Sequence, residues 1–295
     1  LTFTLAHLSD PHVGPLPTPR LRDLAGKRLT GYWNWHQSRR GIHSMDVLAA
    51  IRDDILAHRP DHVALTGDLV NIGMPAEFPL AARRLLSLGA PHDLSVVPGN
   101  HDAYVRGSLA AMEIEFGPFQ RGDDDAPGFP FLRLRGGIGL IGVSSAVPTM
   151  PFLASGAVGR DQMRRLTAML EDCRKRKVPT VVMLHHPPHR GGARFGRGLK
   201  DALEMEKVLA RHGADLVLHG HNHRFSLRRI PGPEAQVPVV GVASASAVPG
   251  SPAHRAAWHL FRLRPDGGRL TIELEVRGIE RAGGPVVRLD AVTIA

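Results

Sequence analysis

The chain has 295 residues, 43% hydrophobic and 22% charged, a balance that suits a sizeable buried core and excludes a disordered or fibrous chain. The formal net charge is +9, and nearly all the positive charge is arginine, because Lys27, Lys175, Lys177, Lys200 and Lys207 are the only lysines. Two readings of that charge stand side by side: attraction to an anionic partner, and a compositional bias that scatters arginine along the chain.

Strand and helix signals alternate. Leu1–Leu8 has no basic region ahead of its apolar residues, so it reads as a strand over Leu5–Leu8 and not as a signal peptide. Ser44 caps a predicted helix with Val47, Leu48, Ile51 and Ile55 on one face, stopped by Pro60. Val63–Thr66 is a predicted strand. Pro75–Leu88 is a predicted helix with Phe78, Leu85 and Leu86 inward and Gly89 at its C-terminal cap. Leu94–Val97 is a strand, and Leu132–Leu134 with Ile138–Val143 form a hairpin around Gly136-Gly137. A helix follows over Arg160–Lys177, with Met163, Leu166, Met169, Leu170 and Cys173 on one face. Thr180–Leu184 is a strand, Lys200–His212 a helix and Asp215–Leu218 a strand. Beyond that point the helical signal stops, and Val237–Val242, Ala257–Leu263, Leu270–Val276 and Val286–Val292 read as strands.

One segment departs from the alternation. Residues 20–43 have weak periodicity, several basic side chains and the cluster Tyr32-Trp33-Asn34-Trp35. Cys173 cannot form an internal disulfide, and no apolar run is long enough to span a membrane. Both fit a cytoplasmic protein, with peripheral membrane contact as a further expectation.

Five short motifs follow apolar strands: Ser9-Asp10-Pro11-His12, Gly67-Asp68, Gly99-Asn100-His101-Asp102, His185-His186-Pro187-Pro188 and Gly220-His221-Asn222-His223. In an α/β sheet the carboxyl ends of strands gather on one rim, so all five belong together. Carboxylate, imidazole and amide oxygen suit divalent first-row metals such as Mn, Fe or Zn, and the absence of thiolate argues against a structural zinc site. Asp68 is the natural carboxylate to lie between two cations. Singly, each motif is weak, because a Gly-Asp pair is often only a turn and a lone His is often a core residue. Five at successive strand ends form a pattern.

In this order the motifs resemble the calcineurin-like metallophosphoesterase superfamily, over Leu5 to about His223, and the bacterial branch with class III cyclic nucleotide phosphodiesterases and glycerophosphodiesterases in particular. The resemblance implies an α/β fold, a four-layer αββα sandwich of two mixed sheets with flanking helices. It implies a single domain over 1–295, with 20–43 as a cap-like insertion. It also implies two divalent or mixed-valence metal ions. Asp10, His12 and His223 would hold one; Asn100, His185 and His221 would hold the other; Asp68 would bridge. His185 is preferred to His186 because it directly ends the strand. His101 would face the substrate and protonate the leaving oxygen, and Asp102 would orient His101. The implied reaction is hydrolysis of a phosphodiester by in-line attack of a hydroxide shared by the metals.

The substrate is open at this stage. Tyr32, Trp33 and Trp35, flanked by Arg28, Arg39 and Arg40, have the make-up of an interfacial anchor, which points to a phospholipid head group and a phospholipase C-like activity. The alternative is that these aromatics pack a cap and that the substrate is a soluble cyclic nucleotide or glycerophosphodiester. The loop bearing Arg190, Arg194 and Arg197 either meets a second anionic group or is simply solvated. A non-catalytic protein on the same fold predicts missing ligands, and none is missing. A nucleic-acid-binding protein predicts a basic stripe interleaved with aromatics, and none is present.

Overall fold

The computed structural model describes residues 1–37, 39–249 and 255–295, with the side chain of Arg39 outside that set. The first third of the chain runs through β1 (Phe3–Leu8), α1 (Lys27–Gln37), α2 (Met45–His58), β2 (His62–Leu65), α3 (Glu77–Leu86) and β3 (Leu94–Val96). The middle holds α4 (Leu109–Phe116), β4 (Phe131–Arg135), β5 (Ile138–Gly142), α5 (Arg160–Lys175), β6 (Thr180–Met183) and α6 (Ala202–His212). Strands alone follow: β7 (Leu216–His219), β8 (Ser226–Ile230), β9 (Val237–Gly241), β10 (Ala257–Asp266), β11 (Arg269–Ile279) and β12 (Val286–Thr293).

The strands form two mixed six-stranded sheets, ordered β12-β11-β10-β1-β2-β3 and β4-β5-β6-β7-β9-β8. Within them β1, β2 and β3 are mutually parallel, as are β5, β6, β7 and β9. Parallel strands buried on both faces are near-continuous apolar runs, which is why these segments carry almost no alternation. One core lies between the sheets, joining Leu5, Phe261 and Leu274 to Leu140, Met183 and Leu218. A second packs α2 and α3 on the outer face of the first sheet through Ile51, Ile55, Phe78 and Leu85. A third packs α5 and α6 on the second sheet through Leu166, Leu170, Met205 and Leu209. The order of layers is the expected helix, sheet, sheet, helix.

Local expectations mostly hold. Ser44 Oγ accepts from Val47 N at the start of α2, and Cys173 is buried in α5. Helix α3 differs in two details. It ends at Ser87 and not at Gly89. Leu86 is exposed, because Phe78, Ala81, Ala82 and Leu85 already complete the inward face. Sequence patterning misses α1, α4 and β8. Helix α4 is apolar almost all round, so no face stands out. Strand β8 is an edge strand with Arg228 and Arg229 exposed. No helix of the described residues is long and apolar enough to cross a membrane.

Candidate metal centre

The carboxyl ends of β1, β2, β3, β6 and β7 open on one rim, and the five motifs lie in the loops that leave them. The backbone there is tightly drawn. Asp10, His12, Asp68, His221 and His223 all adopt positive φ, five of nine such non-glycine residues in the described chain. This conformation is costly for residues with a Cβ, and it concentrates where surrounding structure forces a functional geometry. Two glycines make the approach possible. A Cβ on Gly99 would collide with Asp68 Oδ1, and one on Gly220 would collide with Ser9 Oγ.

The loops bring all seven expected ligand residues together. Ligand atoms of Asp10, His12, Asp68 and His223 lie within 4.8 Å of one another, a spacing that could hold a metal ion. Those of His185, His186 and His221 do the same. Asp68 lies between the groups, its Oδ2 being 3.9 Å from His12 Nε2 and 3.4 Å from His185 Nε2. Asn100 Oδ1 is 3.3 Å from His185 Nε2.

Backbone carbonyls orient the rings. His12 donates Nδ1–H to Val70 O at 3.2 Å, and His185 donates Nδ1–H to Thr66 O at 2.6 Å. Each bond fixes the tautomer and turns the Nε2 lone pair toward the cluster, the usual arrangement of a ligating histidine. His186 behaves differently. Its Nε2–H goes to Ala154 O at 3.1 Å and its Nδ1 accepts from Ser145 Oγ at 2.8 Å, so both nitrogens are engaged. Proximity admits His186 to the second group; its hydrogen bonds leave His185 as the ring that faces Asp68.

Electrostatics favour a cation here. Burial would raise Asp10, but nearby His223 and His185 outweigh it and hold the carboxyl well below its usual range. Burial opposes protonation of His185, yet Asp68 and Asp10 pull its pKa up to about 9. The buried carboxylates therefore draw a positive charge into the cluster. Burial keeps His12 and His221 neutral, His221 down at about 3. Buried His12 Nε2 and His221 Nε2 have no hydrogen-bond partner, and Asp10 Oδ1 meets only His223 Nε2, at 3.2 Å. Unpartnered buried acceptors beside excess negative charge are what a divalent cation satisfies, and the donor set is hard oxygen plus imidazole.

His101 sits above this floor. Its backbone N–H binds Asp68 Oδ1 at 2.7 Å, its Nδ1–H points at Asn71 O, and its ring stacks on Tyr104 with centroids 5.6 Å apart. Asp102, expected to orient His101, is engaged by the backbone. Its carboxylate accepts from the backbone N–H groups of Asp68, Leu69, Val70 and Gly99 at 2.8–3.1 Å. It ties the Asp68 loop to the Asn100 loop, while Asn71 O and Tyr104 hold the His101 ring. His43 is a residue the strand-end motifs could not reveal. It ends the inserted segment, its Nδ1 is 2.8 Å from Ser246 Oγ, and its ring centroid is 4.4 Å from that of His12. With His12 and His223 it forms a third group of ligand-type nitrogens within 4.8 Å.

Two cavities meet at the cluster. One, of about 900 Å³, is lined by Asp68, His221, His223 and the cationic Arg194, Arg197 and Arg224. The other, of about 660 Å³, is lined by Trp33, Trp35, Tyr104 and Phe152. Asn100, His101, Ala154 and Arg197 belong to both.

A family model for calcineurin-like phosphoesterases matches residues 3–225, from β1 to just beyond His223. The chain belongs to this family. It is thus a metallophosphoesterase, and its His/Asp cluster could hold metal ions. This phosphoesterase is 29% identical over 232 residues to a Synechococcus protein named a probable cyclic nucleotide phosphodiesterase, the match covering 77% of this chain and 82% of that one. It is 28% identical over 186 residues to a glycerophosphodiester phosphodiesterase of Enterobacter lignolyticus, covering 58% of this chain and 59% of the relative's length. A solved dimetal phosphatase from Danio rerio matches with a TM-score of 0.60 at 14% identity, covering 99% of each chain. At that identity the likeness speaks to the fold alone.

Proposed function

We propose that the protein is a binuclear metal-dependent phosphodiesterase. The observation that carries this reading is the crowding of ligand atoms around the buried carboxylate of Asp68, with Asp10, His12 and His223 within 4.8 Å on one side and His185 Nε2 at 3.4 Å on the other. In this reading Asp10, His12 and His223 would hold one ion, Asn100, His185 and His221 would hold the other, and Asp68 would contribute to both. Two bound cations would offset charge on the phosphate oxygens and lower the pKa of a water between them. Asp102 keeps the Asp68 and Asn100 loops in register, so that the ligands are placed before substrate arrives. His101 has its Nδ1 committed to Asn71 O, so proton transfer to the departing oxygen falls to Nε2. Residues 20–43 act as a cap-like wall of the same domain.

Two substrate classes have support. Trp33, Phe152 and Leu153 are exposed beside the site in a cavity that also holds Lys27 and Arg197, which favours a phospholipid head group cleaved as by a phospholipase C at the membrane surface. The names of the two relatives favour a soluble cyclic nucleotide or glycerophosphodiester. A hydrolysis panel on metal-stripped and Mn²⁺- or Zn²⁺-restored protein separates them: bis(p-nitrophenyl) phosphate, cyclic AMP, glycerophosphocholine and phospholipid vesicles. Restored metal should switch on diester hydrolysis. Equal activity in the stripped protein would contradict the proposal.

A further inference from the structure

The second cavity has two walls from different parts of the chain. One wall is α1, which packs so closely that a Cβ on Gly31 would strike the Tyr104 hydroxyl. The other is the loop around Phe152, pinned beneath by His186 Nε2–H to Ala154 O at 3.1 Å and at its side by Ala154 N to Gly196 O at 3.0 Å. Lys27 joins the walls. Its Nζ donates to Thr149 Oγ1 at 2.7 Å and to Leu153 O at 3.3 Å, and lies 4.4 Å from the centre of the Tyr104 ring. Arg28 fastens α1 from the far side, to Gly73 O and, at 3.2 Å, to Ser108 Oγ. These polar ties fix the width of the cleft, and beside Lys27 its lining is largely apolar: Leu29, Trp33, Trp35, Ile72, Phe152 and Leu153.

Its position relative to His101 assigns its use. In an in-line displacement the entering and leaving oxygens lie on opposite sides of phosphorus, and the general acid stands on the leaving side. His101 lines both cavities, so a phosphate on the metal cluster would send its departing arm past His101 into the apolar cleft. The arm that stays on phosphorus would remain in the first cavity, with Arg194 and Arg224, and with Arg197 at the junction of the two. Those guanidiniums suit an anionic or hydroxyl-rich group and repel a cationic one.

The rim narrows the choice of leaving arm. Of the residues that line the cleft, Trp33 is 66% exposed and Phe152 91%. A small soluble ligand gains nothing from apolar side chains outside its pocket, whereas a chain that runs out of the cleft into a lipid surface does. We infer that this cleft is the leaving-group subsite and that it takes the acylated alcohol arm of an anionic or polyol-headed lipid phosphodiester, an inference that rests on the diesterase reading above. The P–O bond to the acylated glycerol breaks and water supplies the new P–O bond. The departing oxygen takes its proton from His101, giving a diacylglycerol and a phosphorylated head group.

The test uses metal-loaded protein and a series of monomeric diesters: glycerophosphoglycerol, dibutanoyl- and dihexanoyl-phosphatidylglycerol. A buried methylene raises affinity roughly fourfold, so burial of two or three of the added methylenes should raise kcat/KM on the order of ten- to a hundredfold across the acyl series. Dihexanoylglycerol and glycerol phosphate should be the products. Trp35→Ala and Phe152→Ala should flatten that climb, and Ile114→Ala, exposed on α4 and lining neither cavity, should keep it. Dihexanoyl-phosphatidylglycerol should also shift tryptophan emission of the metal-stripped protein to the blue, since Trp33 is exposed and Trp258 is buried throughout. Bis(p-nitrophenyl) phosphate separates the two levels of the argument. If it is hydrolysed but the acyl series is flat, or if phosphatidate is the product, the subsite is wrong and the diesterase stands. If cyclic AMP alone shifts the emission, the cleft is a nucleotide site. If bis(p-nitrophenyl) phosphate is not hydrolysed either, both fall.

Discussion

Asp10, Asp68, Asp102 and His185 are buried at the strand ends, whereas α1, on the wall of the adjoining cleft, buries only Gly31. The loops are cross-tied through the interior, with Asp102 alone collecting four backbone N–H groups. Helix α1 is fastened from outside, by Lys27 to Thr149 and by Arg28 to Gly73. The contrast follows from what each region must do. Residues meant to hold a metal tolerate little displacement, so they stand at the ends of packed strands, with carbonyls behind His12 and His185. A wall that selects substrate needs only to stay in place, and it can differ between relatives without disturbing the chemistry.

Changes in the loops should therefore act on every substrate, and changes in α1 on some. The largest effect is expected for Asp68→Asn, which removes the negative charge shared by both groups of ligands. Metal content and diester turnover should both fall, turnover by several orders of magnitude; near-normal turnover at saturating metal would remove Asp68 from the bridging role. His101→Ala should leave the metal content intact while lowering kcat roughly ~10²–10⁴-fold. The loss should shrink for esters with good leaving groups, and a parallel loss of metal would make His101 a ligand instead. Lys27→Met cuts the tie between the cleft walls, and should lower turnover of lipid diesters by less than about tenfold, the worth of one or two hydrogen bonds. If bis(p-nitrophenyl) phosphate suffers equally, the walls are not separable from the cluster.

The smallest effect concerns stability and lies away from the cluster. Burial, reinforced by Arg133, lowers His62 from 6.5 to about 3, and its Nε2 bonds Ser95 Oγ at 2.9 Å. Below 6.5 the unfolded chain takes up a proton that the folded chain refuses. Stability therefore falls as pH drops through this window, by at most about 1.4 kcal/mol per unit for one such group. His7 and His259 act in the same direction. His185 is raised, so its contribution is complete below 6.5 and is lost only as pH rises toward 9. The Tm of metal-stripped protein should decline from pH 6.5 to 5, and less steeply in His62→Gln. A flat Tm would contradict the buried neutral histidines.

What the sequence reveals follows the same division. Parallel strands are apolar runs that stop abruptly at Asp, Asn or His, so Asp10, Asp68, Asn100, His185 and His221 could be placed on one rim before any coordinates. The layered fold was legible through the family resemblance that these motifs carry. Helix α1 left no such trace, because its close contact with Tyr104 is made by Gly31, which has no side chain to set a period. His43 stands at the end of the insertion, outside any strand-end motif. The pairing His185-His186 could not be resolved by order alone; it takes the bonds to Ser145 and Ala154 to show where the second ring is engaged. Asp102 was legible as part of the site but not as a clasp on the backbone, since hydrogen bonds to N–H groups leave no pattern in side-chain identity.

The central claim is that one chain holds two cations around Asp68 and needs both to cleave a diester. Titrating metal-stripped protein with Mn²⁺, while following bound metal and hydrolysis of bis(p-nitrophenyl) phosphate together, tests it most directly. The account predicts that binding saturates at two ions per chain and that activity reaches its plateau only as the second site fills. Saturation at one ion with full activity, or hydrolysis unaffected by stripping, would contradict it.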